Sequence, residues 1–106
     1  MLLAVLAFGL ALAGLRGEVG TARASRAATV VIDHFAFHPP TLRVARGTKV
    51  TFSNTSAVTH TATSGGNFDT GRIKPGTSAS VRFTQRGTFA YHCEIHPLMH
   101  GKIVVE

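Results

Sequence analysis

The run Tyr91-His92-Cys93-Glu94-Ile95-His96-Pro97-Leu98-Met99 places a thiol, an imidazole and a thioether at equal spacing on one short stretch. Cys93 is the only cysteine of the chain. A thiolate, an imidazole and a thioether form a soft donor set, and copper is its first candidate. Two residues separate Cys93 from His96, and two more separate His96 from Met99, so one tight turn can wrap three donors around an ion. A second imidazole has to come from another element, and His60 is the best placed of the remaining histidines. Two imidazoles and a thiolate in a roughly trigonal plane, with a weak axial thioether, suit both Cu(I) and Cu(II). The metal can then change oxidation state with little rearrangement of its ligands.

Each of these residues has a plainer reading. A lone inward cysteine is usually a small buried hydrophobe, and a methionine near a strand end is usually core filler. Their joint spacing, with Pro97 directly after His96, favours the metal instead. An enzyme using Cys93 as nucleophile and a histidine as base is disfavoured. So small a domain has no room for an ordinary substrate pocket, and no third group is evident to orient the histidine. His34 and His38 flank residues 35–37 and read as surface residues of a first strand. His100 reads as a polar residue opening the last strand.

The elements that position the donors are short. From residue 29 onward, β-branched and aromatic stretches are broken by Gly, Pro, Asn and Ser, and no useful helical period is visible. Strands are expected at 29–35, 41–44, 48–54, 58–64, 78–84, 88–93 and 100–106, with 67–76 as a loop or weak edge strand. Seven to eight short strands at this spacing predict an all-β, antiparallel Greek-key sandwich or barrel. Alternation puts Phe89, Tyr91 and Cys93 on the inward face of their strand, with Ala90 and His92 facing away. The thiol should therefore emerge at a strand end, inside the edge of the core.

The first residues differ from the rest of the 106. Leu2 to Leu15 is an apolar run, followed by small and charged residues through Ala22-Arg23-Ala24. It is shorter than the roughly 18 or more apolar residues of a spanning helix. With its Ala-x-Ala pattern, it reads as an export signal over residues 1–24, preceding a domain at 25–106. An uncleaved segment would instead anchor the protein to a membrane. Beyond residue 24 the chain carries nine Lys or Arg against four Asp or Glu. These charges are scattered singly, which argues against nucleic-acid binding. A lone cysteine in an exported domain cannot form an internal disulfide, and metal ligation gives a reason for keeping it.

The segments 47–54, His60-Thr61, Phe68-Asp69-Thr70-Gly71, Pro75-Gly76 and 87–106 together resemble the cupredoxins, the small blue copper proteins, of the plastocyanin and amicyanin type. The Cys-x-x-His-x-x-Met loop followed by 100–106 is the most specific part of the likeness. The resemblance implies one copper per chain, held by His60, Cys93, His96 and Met99. It also implies a monomeric, periplasmic or otherwise exported carrier, not an enzyme, that passes single electrons between a redox donor and a redox acceptor. Docking is expected near His96, Pro97 and Leu98, with Ala57 and Val58 alongside, and Arg72, Lys74 and Lys102 could steer an acidic partner. A copper carrier or sequestration protein is the alternative. One position departs from the family pattern: the residue after the first ligand histidine, commonly an asparagine that ties its strand to the cysteine loop, is Thr61. Such partners of the ligands tune a metal's affinity and potential.

Overall fold

Alternation of apolar and polar residues forms the strands and decides which of their faces is buried. The computed structural model describes residues 26–106. The expected export signal lies outside the described residues. Nine strands follow one another: β1 (Ala27–Asp33), β2 (Ala36–His38), β3 (Thr41–Val44), β4 (Thr48–Asn54), β5 (Thr63–Ser64), β6 (Phe68–Asp69), β7 (Ser78–Phe83), β8 (Gly87–His92) and β9 (His100–Val105). They form two sheets, ordered β2-β1-β4-β7 and β3-β9-β8-β5-β6. The expected all-β sandwich is present, with one or two more strands among the described residues than the seven to eight the sequence suggested.

Both sheets are mixed rather than purely antiparallel. β1 runs parallel to β4, and β3 runs parallel to β9. After β2 the chain leaves the first sheet, forms β3 in the second, and returns as β4 beside β1 in the same direction. The strand expected at 29–35 stops at Asp33, because His34 and Phe35 both have positive φ, 50° and 55°, and turn the chain into β2. Such two-residue hairpin turns ordinarily carry Asn-Gly, so His-Phe gave no turn signal. The strand expected at 58–64 shrinks to Thr63–Ser64, preceded by a single bridge between His60 and Ile73. The carbonyl of Val58 is taken by the Asn54 and Ser56 side chains instead of a neighbouring strand.

Val30 and Ile32 of β1, Val50 and Phe52 of β4, and Ile103 and Val105 of β9 meet between the sheets. Tyr91 of β8 lies among them, its ring 4.7 Å from that of Phe37, 5.5 Å from Phe52 and 5.9 Å from Phe68. Its hydroxyl is buried without a hydrogen-bond partner among the described residues, and burial raises its pKa well above the usual tyrosine value. Tyr91 is paired across the ladder with Gly101, and its ring covers the glycine. A methyl group on residue 101 would lie 2.5 Å from the Tyr91 oxygen and 2.6 Å from Cζ. Gly101→Ala should therefore destabilise the fold by about 1–3 kcal/mol, the usual range for overpacking, read as a lower denaturation midpoint in urea.

Candidate metal centre

β8 delivers Cys93 to the end of the sandwich, with its side chain fully buried. The next six residues form a closed loop. The Cys93 N–H donates to the Met99 carbonyl at 3.0 Å, and the Met99 N–H donates to the His96 carbonyl at 2.9 Å. The second bond closes a four-residue turn with Pro97 at its second position, where a fixed φ is favourable. This turn directs His96 back over the cysteine. Its Nδ1 lies 3.7 Å from Cys93 Sγ, and Met99 is buried at the end of the same loop.

His60 arrives from the other side. Reciprocal backbone bonds with Ile73, at 3.2 and 2.7 Å, hold its main chain, and its Nδ1 is 3.8 Å from Cys93 Sγ. The ligand atoms of His60, Cys93 and His96 all lie within 4.8 Å of one another. The tautomer of His60 follows from its partners. Ser56 Oγ can donate its one proton to Asn54 Oδ1, 2.7 Å away, or to the Val58 carbonyl at 3.0 Å, both of which lack protons to give. The contact between Ser56 Oγ and His60 Nε2, at 3.1 Å, then has the imidazole N–H as donor. Nδ1 is left with a free lone pair facing the thiol, as a metal ligand requires. Asn54 is buried and satisfied: its amide donates to the carbonyls of Val58 and Ile73, both at 2.8 Å, and its oxygen accepts from the Ser56 N–H and hydroxyl.

Thr61 ties the two halves together. Its N–H points at Cys93 Sγ at 3.3 Å, and its hydroxyl oxygen accepts the Glu94 N–H at 2.9 Å. Thr63 donates to Asp69 Oδ1 at 3.1 Å, so its oxygen is available to accept the Thr61 proton at 3.0 Å. A threonine here thus links the histidine segment to the cysteine loop, at the position where the family pattern commonly has an asparagine.

The rim includes a residue that sequence reasoning passed over. Phe35 is 56% exposed, yet its ring stands edge-on to both His60, at 5.7 Å and 86°, and His96, at 5.2 Å and 82°. An aromatic residue at positive φ is strained, and the Asp33 carboxylate, which accepts the His34 N–H at 3.0 Å, braces the turn. With Ile95, Pro97 and the 92%-exposed Leu98, Phe35 borders an apolar hollow around His96. Pro97 and Leu98 are where docking was expected. Val58 and Ala57 are exposed but do not line this hollow. His34, His38 and His100 are exposed and lie apart from the cluster, and His92 faces away from Cys93 and contacts Glu94.

The donor set of one thiolate, two imidazoles with their Nδ1 atoms turned inward, and a neighbouring thioether fits copper by its chemistry. Burial, and next the charge of His96, lower the pKa of His60. The unfolded chain therefore takes up a proton near 6.5 that the folded metal-free chain resists. The urea midpoint of the metal-free protein should hold above that pH and fall as the pH drops below it. His60→Gln should flatten this dependence. Phe35→Asn, a residue tolerant of positive φ, should leave folding stability within about 1 kcal/mol of the parent. Ring-proton NMR signals of His60 and His96 should move as the ring current of Phe35 is lost.

Comparison with known proteins accords with this geometry. A family model described as a cupredoxin-like domain matches residues 1–105. Amicyanin-alpha of Methylorubrum extorquens is 33% identical over 87 residues, covering 73% of this chain and 70% of its own. Amicyanin of Paracoccus denitrificans is 34% identical over 93 residues, covering 78% and 68%. A solved reduced Cu(I) form of an amicyanin variant superposes with a TM-score of 0.72 at 34% identity, over 76% of this chain and 82% of that one. A purple cupredoxin from Nitrosopumilus maritimus shares the fold at 23% identity, with a TM-score of 0.72 over 74% and 99% of the two chains. The chain belongs to the cupredoxin family and is of its amicyanin- and plastocyanin-like kind.

Proposed function

We infer that this chain is a small exported type 1 copper protein that carries single electrons between redox proteins. The observation that carries the reading is the fully buried Cys93 Sγ with one histidine Nδ1 on each side, at 3.7 and 3.8 Å. His60, Cys93 and His96 would hold the metal, with Met99 as the weak fourth ligand. Copper supplies the one-electron Cu(I)/Cu(II) couple when bound. The chain's own part is to fix the donors so that neither oxidation state requires them to move. Thr61 holds the sulfur with its N–H, Ser56 orients His60, and the turn through Pro97 sets His96. The solved Cu(I) form of an amicyanin variant supports copper as the ion.

His96 is the half-buried ligand, and its apolar surroundings give electrons a short way out. A partner docking on Phe35, Ile95, Pro97 and Leu98 could bring its own centre close without ordered water between. Weak redox complexes bury little area, so a patch of this size suffices. The net positive charge favours an acidic partner. The apolar run at 2–15 supports export, which would place the carrier outside the cytoplasm. A copper carrier or sequestration protein would need ligands open to exchange, and the full burial of His60 and Cys93 speaks against that reading. The same rim offers no enclosed substrate cavity, which fits a carrier better than an enzyme.

The test is the visible spectrum of the protein given one equivalent of Cu(II), beside Cys93→Ser. An intense blue thiolate-to-copper band that bleaches reversibly with mild reductant, and is lost in the variant, is the expected result. A colourless complex in the parent would remove Cys93 from the ligand set and turn the reading toward copper transport.

A further inference from the structure

Strand pairing brings three more residues with ligating side chains, His92, Glu94 and His100, to the opposite, solvent-facing side of β8 and β9. His92 and His100 are directly opposed in the β8–β9 ladder. Because the Cys93 N–H bonds the Met99 carbonyl one step further along, His92 and His100 form a non-hydrogen-bonded pair. That is the pairing in which facing side chains come closest, with Cα atoms about 4.5 Å apart. Both rings leave the sheet on one side, since Tyr91 beside them points into the core. Glu94 reaches the same place, with its Oε2 2.9 Å from His92 Nε2. The His100 side chain is exposed and has no hydrogen-bond partner among the described residues.

We propose that His92, His100 and Glu94 form a second metal site, for a divalent transition ion such as Zn(II), on the outer face of this sheet. Two imidazoles and a carboxylate are a common ligand set for such ions. Donors bound at about 2.0–2.2 Å, at tetragonal to tetrahedral angles, stand roughly 2.9–3.4 Å apart. The His92–Glu94 separation of 2.9 Å already meets that requirement, and the exposed His100, directly across the ladder from His92, would have to turn its ring toward them to supply the third donor. The row continues through Thr63, opposite His92, to Asp69 on β6, so two of the four acidic residues within 26–106 lie on this face of a basic protein. His92 directly precedes Cys93, and His100 directly follows Met99. An ion held there staples together the two strands from which the inner ligand loop leaves and returns.

The site is tested by titrating Zn(II) into the Cu(I)-loaded chain and, separately, into the Cys93→Ser variant, following the imidazole proton NMR signals. The ring signals of His92 and His100 should shift together and saturate at one equivalent in both proteins. His100→Gln should weaken the ion's effect on His92 at least about tenfold, since even the partners of metal ligands cost 10–100-fold when lost. Unmoved His92 and His100 signals, shifts confined to His34 and His38, or a His92 titration unchanged by His100→Gln would each overturn the proposal. Because the variant lacks Cys93, failure of the inner copper reading would leave this result intact, and the two can be judged separately.

Discussion

One peptide N–H, that of Thr61, holds the inner site together. It reaches Cys93 Sγ at 3.3 Å, joining segments that are thirty-two residues apart in the chain. The same residue's hydroxyl accepts the Glu94 N–H, so the loop is held through the cysteine's sulfur and through the main chain of the residue after it. His60 is the preceding residue, and its position follows from this contact together with the bridge to Ile73. In a dry interior such bonds are stronger than in water, and a broken one leaves a buried polar group unpaired. The geometry of the thiol and of His60 is therefore set by polar links as much as by the apolar core beneath them.

The readable part of the site was the part encoded locally. Cys93, His96 and Met99 occupy one turn, so their spacing alone states that they can meet. His60 was reached mainly through its place in a family pattern, because contact between segments that far apart leaves no periodic trace. Phe35 and Ser56 were not read at all. The first acts through a two-residue turn made of residues that do not signal a turn, and the second through a network centred on Asn54. Strands were legible from alternation, but alternation has no direction. Nothing in β1 or β3 announces that each will lie parallel to a partner.

The rim is built at some cost to the fold. His34 and Phe35 each hold a backbone conformation that disfavours L-residues by about 1–2 kcal/mol. Asp33 offsets part of this by accepting the His34 N–H with its carboxylate. What the strain produces is a large apolar ring standing over two imidazoles. A relaxed Asn-Gly turn would leave that surface open to water. The core, with Tyr91 packed among Phe37, Phe52 and Phe68, provides the stability that lets such a turn persist.

The place of β9 in its sheet bears on how the site is assembled. It lies between β8 and β3, and the ligand loop comes immediately before it in the chain. The loop can be pinned at both ends only once β9 has found its two neighbours. Without that docking, the Met99 side of the loop has no strand to anchor it. A long-range closure of this kind is slow compared with local turns. The loop's donors thus reach their places only through the docking of β9 between β8 and β3, so an intact site reports that this seam has closed.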